Sequence, residues 1–498
     1  MYLLGLDIGS SSVKAALLDG ESGSVIAAAY SPKEEMPIAS PHPGWAEQDP
    51  ETWWHHLKIA VKDVVFQSGA RPSDILSIGI AYQMHGLVII DKAGRPLRPA
   101  IIWCDGRAVV AGGKAFREIG EERCLQSLLN APGNFTAAKL KWVLDHEPRL
   151  ADKIHKALLP GDYIAMKLTG QPLTTISGLS EGVFWDFPQH EPAGFLLKGL
   201  GIPEGLLPEA VPAFGHQGQL TAAAASELGL SARTTVSYRA GDQPNNAFSL
   251  NVMSPGELAA NAGTSGVVYG LSDELKYDPL SRVNTFAHVN HTKASPRVGI
   301  LLCINGTGIQ QAWLRRMLGG GLSYAEMNHL AEAVAPGSEG LAVLPFGNGA
   351  ERMLGNCDLG ASFSGLRFNR HTRGHLARAV QEGIAFAFQY GLEIMQGLGL
   401  EAEVVRAGKA NMFLSPVFRE ALSNTTGARV ELYNSDGAIG AARGAGVGAG
   451  FYHSFEEAFS GLRLLELTEP APKLTAQYAQ AYRHWKQQLE NAIQIKQQ

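Results

Sequence analysis

Apolar runs broken by tight polar turns open both halves of the 498-residue chain. In each half, two strand-like runs flank a turn rich in glycine and hydroxyl side chains, the pattern of a hairpin. The two hairpins stand about half a chain apart, which predicts two related α/β domains that face each other. The runs and turns are 2–8, 9–12 and 13–18, with a further run at 24–30, and then 257–262, 263–265 and 266–270.

Helical and strand-like periods alternate between these hairpins. Residues 50–67 begin with the cap signal Asp49-Pro50 and carry apolar side chains at helical spacing. A strand is predicted at 75–81, and the final segment places Tyr478, Tyr482, Trp485 and Leu489 on one helical face, so it should pack back on a domain. In the second half we predict helices at 307–318, 324–334, 376–398 and 416–426 and strands at 341–344, 404–406 and 430–432. The domains expected are 1–250, 251–455 and a terminal helix in 456–498.

Length, charge and cysteine usage narrow the class of protein. A chain of this length exceeds a single hydrophobic core, which supports two domains. The formal net charge of −5 provides no basic field for nucleic acid or anionic membranes, and neither partner is expected. The four cysteines are widely spaced, which argues against a disulfide framework or zinc site. No signal-peptide pattern or spanning stretch is seen, so a cytoplasmic location is expected.

The two hairpin turns are the first candidates for chemistry. Asp7 ends a strand before Gly9-Ser10-Ser11-Ser12, so backbone N–H groups and hydroxyls could bind phosphate while the carboxylate holds Mg²⁺ through water. Gly263-Thr264-Ser265 could do the same from the other half. Either turn alone is more often a plain hairpin.

Two further sites stand at predicted strand ends. Asp242 follows the strand at 235–239 and could orient a hydroxyl group and accept its proton, although spacing alone favours an aspartate that forms an Asx-turn or caps a helix. His85 follows the strand at 75–81, where a histidine is more often structural than functional.

Several segments resemble the FGGY carbohydrate kinases of the actin-like ATPase superfamily. Within that family they are most similar to the branch that phosphorylates D-xylulose, and the resemblance runs from residue 1 to about 450. The segments are 6–14 (LDIGSSSVK), 42–50 (HPGWAEQDP), 83–86 (QMHG), 103–107 (WCDGR), 136–142 (TAAKLKW), 240–242 (AGD) and 261–266 (NAGTSG).

The resemblance implies two actin-like, ribonuclease H-like domains around a nucleotide cleft and a reaction between ATP and a ketose. Asp242 matches the catalytic base of the family, while Met84, His85 and Gln243 match its sugar-binding positions. Asp7 would serve Mg²⁺. A homodimer is the family-based expectation. The nucleotide contacts expected are Gly9, Ser10, Ser11, Ser12, Lys14, Gly263, Thr264, Ser265, Gly306, Gln310 and Gly408.

Several residues differ from the family pattern, so the identity of the substrate is not decided by the resemblance. Tyr82 stands where the family mostly has Gly, Cys104 replaces Asn, and Pro244 follows the proposed base; Ala407 and Lys409 replace two glycines beneath the adenine. Alternatives are a kinase for L-xylulose, D-ribulose, another polyol or a signalling ketose, or a non-catalytic ATPase of the actin or chaperone type.

The small residues at 436–442 are interpreted as a closely packed helix. Trp45, Trp53 and Trp54 are expected in the core, Trp103 is expected to pack, and Asp105 should pair with Arg107.

Overall fold

Two central sheets organise residues 1–497, the part of the chain that the computed structural model describes. The first has the strand order β5-β4-β1-β2-β3. Strands β1 and β2 form an antiparallel hairpin around the turn at 9–12, β3 continues the meander, and β4 and β5 lie parallel to β1. These strands are β1 (Tyr2–Ile8), β2 (Val13–Asp19), β3 (Val25–Ser31), β4 (Ile75–Tyr82) and β5 (Thr235–Gly241).

The second sheet repeats this pairing. Its order is β8-β9-β7-β6-β10-β11-β12, with an antiparallel hairpin β6–β7 around the turn at 263–265 and with β10 and β11 parallel to β6. The shared hairpin-plus-parallel topology confirms the prediction of two related α/β domains of the actin-like type. These strands are β6 (Glu257–Ala262), β7 (Gly266–Ser272), β8 (Asn284–Ala287), β9 (Val298–Ile304), β10 (Val404–Gly408), β11 (Arg429–Tyr433) and β12 (Leu464–Thr468).

Helices cover the faces of both sheets. The predicted helix after Asp49 forms as α1, and the Asp49 side chain accepts a hydrogen bond from Glu51 N, as a helix cap does. The helix predicted at 376–398 begins three residues earlier than expected. The helices used below are α1 (Pro50–Ser68), α2 (Ile176–Glu181), α3 (Asp242–Ser249), α4 (Gly308–Leu318), α5 (Arg373–Gln396), α6 (Gly437–Gly448) and α7 (Pro472–Gln497).

Shorter elements fill the connections. The other α-helices are Val109–Ile119, Glu121–Leu128, Thr136–His146, Pro148–Ala151, Pro160–Thr169, Gly194–Leu200, Ala222–Leu228, Tyr324–Glu332, Pro416–Thr426 and Phe455–Ala458. Two-stranded pairs join Glu47–Gln48 to Ala100–Ile101, Val88–Ile90 to Lys156–Leu158, Leu173–Thr175 to Glu209–Val211, Trp185–Asp186 to Glu191–Pro192, and Ala342–Phe346 to Gly360–Ser364.

Helix α6 belongs to the second half of the sequence but packs on the first sheet. A Cβ atom at Gly5 of β1 would overlap the carbonyl oxygen of Ala438, and one at Gly79 of β4 would overlap that of Ala441. From the helix side, a Cβ at Gly444 would lie 2.5 Å from the Tyr238 ring. Glycines on both surfaces therefore bring helix and strand backbones into contact, which confirms the interpretation of 436–442 as a closely packed helix.

Helix α7 packs back on the second core through the predicted face. Tyr478, Tyr482, Trp485 and Leu489 are all buried there, and the Trp485 indole Nε1 donates a 2.8 Å hydrogen bond to the Val343 carbonyl. The terminal helix is thus an integral layer of the second domain.

The state of the cysteines and the character of the helices bear on the predictions about disulfides and membranes. Cys104, Cys124, Cys303 and Cys357 are all free thiols. Within residues 1–497, none of the helices combines the length and the apolar character that crossing a bilayer requires.

Candidate active site

The first turn, residues 9–12, places Asp7 against the start of α6. Gly9 N donates to Ser12 O at 3.1 Å and closes the turn. Asp7 pairs across the hairpin with Lys14, whose Nζ lies 3.9 Å from the carboxylate. A Cβ at Gly437 would lie only 2.6 Å from Asp7 Oδ2. Burial raises the Asp7 pKa and nearby Asp436 adds to this, while Lys14 opposes it, so the carboxylate lacks full charge compensation.

Ser10 lies at the edge of this turn beside two polar side chains. Gln48 Nε2 donates to Ser10 O at 2.7 Å, and Trp103 Nε1 donates to Ser10 Oγ at 3.3 Å. Trp103 is 52% exposed, so its indole lies at the rim of the turn. The expectation that this side chain packs is wrong. Trp53 and Trp54 are buried, as predicted.

The second turn, residues 263–265, is held by the segment that begins α4. The Gly263 carbonyl accepts hydrogen bonds from Gly308 N at 2.8 Å and Thr307 Oγ1 at 2.9 Å. A Cβ at Gly308 would overlap this carbonyl, and one at Gly306 would overlap the Pro345 carbonyl. The missing Cβ atoms of both glycines therefore allow close packing of backbone on backbone. A nucleotide contact at Gly306 stays a prediction.

A cleft of about 460 Å³ opens beside the second turn. The predicted residues Gly263 and Thr264 line it, together with residues that sequence reasoning missed. Gln310 and Gly408 are not among its lining residues; Gln310 is buried, and a Cβ at Gly408 would lie 2.9 Å from Ser435 O. The additional lining residues are Ala262, Gly308, Ile309, Gln311, Ala312, Tyr324, Asn328, Asn411, Met412, Leu414 and Ser415.

Lys409 replaces a family glycine beneath the predicted adenine site, and its side chain pairs with a glutamate. Its Nζ lies 2.7 Å from Glu466 Oε1 on β12. The lysine is thus anchored within its own domain by a surface ion pair.

Asp242 is the first residue of α3 and directly follows β5. Its side chain is mostly buried, and burial together with the negative charge of Asp7 raises its pKa to about 7. The influence of Asp7 means that the first turn and the predicted base share one cleft. A carboxyl group with a pKa near neutrality at a helix start suits proton acceptance.

His85 and Met84 follow β4 on the same side. His85 has a left-handed backbone, with φ of 61°, and its ring packs on Phe135 at 4.8 Å and Phe286 at 5.2 Å between centroids. The buried Lys139 donates to the His85 carbonyl at 2.8 Å. Burial lowers the His85 pKa to about 3, so the imidazole is neutral at physiological pH. We name Met84, His85, Asp242 and Gln243 the sugar pocket, after their predicted contact with a sugar, which stays a prediction.

Asp105 is fully buried and pairs with Arg107, as predicted. Arg107 Nη2 lies 2.7 Å from Asp105 Oδ2, and Ala46 N donates to the same oxygen at 2.6 Å. The Arg107 guanidinium also stacks on Trp45 at 3.8 Å from the ring centroid. This cluster shapes the loop beside the cleft and leaves Asp105 no free oxygen for a ligand.

Sequence reasoning missed two charged residues beside the sugar pocket. Glu181 ends α2 and accepts hydrogen bonds from His85, as described below. Arg352, from the second domain, places its guanidinium 5.9 Å from the Phe135 ring, and its charge contributes to the low pKa of His85. Neither lies in a segment with distinctive spacing, so only the tertiary structure brings them to the site.

The first turn therefore lies with a carboxyl group of raised pKa and near a neutral imidazole, while the second turn opens on the cleft beside it. A carboxyl group that can accept a proton, beside a turn rich in N–H and hydroxyl donors, suits phosphoryl transfer to a small alcohol.

Comparison with known proteins agrees with this arrangement. The model of the N-terminal domain of the FGGY family of carbohydrate kinases matches residues 2–249, and that of the C-terminal domain matches residues 258–449. The chain is similar to the xylulose kinase of Escherichia coli K12, with 30% identity over 89% of this chain and 88% of that protein. It is also 28% identical to the xylulose kinase of Bacillus subtilis 168, over 92% and 90% of the two chains.

Solved structures show the same likeness. The crystal structure of xylulose kinase from Rhodospirillum rubrum aligns over the whole of both chains, with a TM-score of 0.87 and 27% identity. The Plasmodium falciparum glycerol kinase structure with ADP shares the fold, with a TM-score of 0.85 at 19% identity over 99% of this chain and 98% of that one. Both family models and the full-length similarity lead to one conclusion: this chain belongs to the FGGY family of carbohydrate kinases.

Proposed function

We propose that the protein transfers the γ-phosphoryl group of ATP to D-xylulose and forms D-xylulose 5-phosphate and ADP. The observation that carries the proposal is Asp242, a carboxyl group with its pKa raised to about 7, in one cleft with the first turn and beside Met84 and His85. The similarity to xylulose kinases over nearly the whole chain supports the choice of sugar.

Asp242 acts as the general base. It accepts the proton of the terminal sugar hydroxyl while the oxygen forms a bond to the γ-phosphorus. The bond between the γ-phosphorus and the β,γ-bridging oxygen breaks, and ADP leaves with that oxygen. Because Asp242 is ionised above a pH of about 7, the acceptor is available at neutral and higher pH.

The sugar pocket binds the ketose on the first domain. His85 Nδ1 is engaged by a carbonyl, so the neutral ring presents Nε2 as an acceptor for a sugar hydroxyl. Met84 provides an apolar wall, and Gln243 supplies an amide beside the base. Arg352 of the second domain lies over the Phe135 ring, which packs on His85, and adds a positive charge beside the pocket.

The two turns hold the triphosphate from opposite domains. Backbone N–H groups and hydroxyls of residues 9–12 and 263–265 are the proposed phosphate ligands, with Lys14 as the nearby cation. The cleft beside the second turn is the proposed nucleoside site. Gly306, Gln310 and Gly408 stay proposed nucleotide contacts that lie outside or behind the lining of this cleft.

Asp7 fits a divalent cation held jointly with phosphate. Its carboxylate shares the cleft with Asp242 and Asp436, and the positive charge of Lys14 opposes its raised pKa. Residues 1–497 contain no cluster of three ligating side chains, so protein groups alone do not form a closed metal site. Mg²⁺ bound there would supply charge neutralisation for the phosphates.

A substrate screen tests the proposal. ADP release is measured with ATP and Mg²⁺ against D-xylulose, L-xylulose, D-ribulose, glycerol and further polyols, and NMR of the product identifies the phosphorylated carbon. We expect the highest kcat/KM with D-xylulose and phosphate on C5. A preference for another acceptor would replace the substrate, and ADP release that is independent of every sugar would favour an actin-like or chaperone-like ATPase.

A further inference from the structure

Glu181 is a buried carboxyl group behind the sugar pocket. It ends α2 and is 1% exposed. Its Oε2 has no hydrogen bond of good geometry within residues 1–497 and packs where a Cβ of Gly241 would overlap it. The same missing Cβ would lie 2.6 Å from Met84 Cγ. Glu181 therefore fills the space between the two strand ends that carry the pocket.

Glu181 also holds His85 at two points. Its carbonyl oxygen lies 2.9 Å from His85 Nδ1, and its Oε1 accepts a longer bond of 3.4 Å from His85 N. A carbonyl oxygen can only accept, so Nδ1 carries the imidazole proton and Nε2 carries the lone pair.

The backbone of His85 needs such support. A φ of 61° places this residue in the left-handed region, which costs free energy for any residue with a Cβ and persists where its surroundings hold it. The bonds from Glu181 and Lys139 fix the N–H and C=O groups on either side of the His85 Cα. The main-chain carbonyl of Glu181 sets the direction of the His85 ring, and the Glu181 side chain holds the N–H of the same residue.

We propose that Glu181 is a positioning residue that holds His85 with Nε2 facing the cleft, and so sets the affinity of the pocket for the ketose hydroxyl that Nε2 accepts. This inference rests on the proposed function. It assigns a role to a side chain that does not itself reach the sugar.

The inference requires the shape of the Glu181 side chain and its acceptor oxygen. Burial raises the pKa of its carboxyl group well above the ordinary range, and the negative charges of Asp242 and Asp162 raise it further, so its surroundings disfavour the charged form. A glutamine has the same shape and can still accept from His85 N. An alanine removes the side chain and empties the space beside Gly241 and the Met84 side chain.

The experiment compares steady-state kinetics of the full-length wild type, Glu181→Gln and Glu181→Ala. For Glu181→Ala we expect KM for D-xylulose to rise about tenfold, since one hydroxyl contact is lost, while KM for ATP stays within about twofold. Glu181→Gln should retain a wild-type KM. Glu382, a buried glutamate bonded to Arg378 in the second core, provides the control: Glu382→Ala should lower Tm and leave KM for D-xylulose unchanged.

A nitrogen-15 NMR measurement of the imidazoles provides a readout that does not require turnover. The wild type should show the Nδ1–H tautomer for His85, assigned by the loss of its signals in His85→Asn. Alanine keeps the main-chain carbonyl that accepts from Nδ1, so Glu181→Ala should keep the tautomer, while the His85 backbone amide loses its side-chain acceptor and its signal, with those of the ring nitrogens, should shift or broaden. Unchanged KM and unchanged His85 signals in Glu181→Ala would overturn the inference, as would a Glu181→Gln variant as defective as Glu181→Ala. If the wild type phosphorylates no ketose but the His85 signals depend on the Glu181 side chain, the proposed function fails while the positioning role survives.

Discussion

Replacing Asp242 by Asn tests two effects of this residue separately: its role in catalysis and its effect on the free energy of unfolding. Asn keeps the size and a hydrogen-bonding oxygen but cannot accept a proton. If Asp242 is the base, kcat should fall by a factor of about 10²–10⁴, the range that a general base contributes. The same change should make the free protein more stable at alkaline pH.

The size of the stability gain follows from the raised pKa. Burial and Asp7 move the Asp242 pKa from 3.8 to about 7. In this window the folded protein retains a proton that the unfolded chain releases, so wild-type stability falls as the pH rises from about 4 to 7. Three pH units correspond to at most about 4 kcal/mol, and the partial exposure of the side chain reduces the expected gain to about 2 kcal/mol.

Thermal and urea denaturation of both proteins at several pH values, with EDTA and without ATP, provides the assay. At pH 8, Asp242→Asn should melt about 2–4 °C above the wild type, and the difference should disappear near pH 4. A variant that is less stable at pH 8, or a difference that does not depend on pH, would refute the electrostatic reasoning. Retained wild-type kcat would refute the assignment of the base.

Three further changes test other parts of the structure. Gly306→Ala forces a methyl group onto a backbone carbonyl and should lower Tm by several degrees, whereas Gly194→Ala, at an open position, should not; equal melting would contradict the packing. Arg352→Met should lower kcat/KM for the ketose about tenfold with unchanged Tm, with the exposed Arg367→Met as control. Asp105→Asn removes one of the two carboxylates, Asp105 and Glu47, that pair with the buried Arg107 guanidinium, and should cost about 3 kcal/mol in urea unfolding, with KM for ATP unchanged.

The sequence predicted the elements of the fold because their signals are local. The helix after Asp49 has a cap and a regular apolar face, and the terminal helix shows its buried stripe at Tyr478, Tyr482 and Trp485. Hairpin turns with glycine reveal the start of both sheets. The order of the strands and the return of α6 to the first sheet depend on contacts between distant residues, and periodicity carries no information about them.

The site was predictable where a motif coincided with a strand end. Asp7, His85 and Asp242 each follow or end a strand of the first sheet, and all three lie around one cleft. No sequence pattern indicated the site residues that come from segments distant in sequence. Glu181 and Arg352 have unremarkable neighbours in sequence, and the glycines near 306 serve backbone packing, which a motif cannot distinguish from ligand contact.

Because α6 packs on the first sheet, the first half of the chain depends on a helix from the second half. Gly5 and Gly79 press against a helix that is synthesised more than 350 residues later. A fragment that stops near residue 250 would leave this sheet face bare, so the first lobe cannot be excised as an autonomous module. On the ribosome, the sheet of the first domain acquires this cover only after residues 437–448 have emerged.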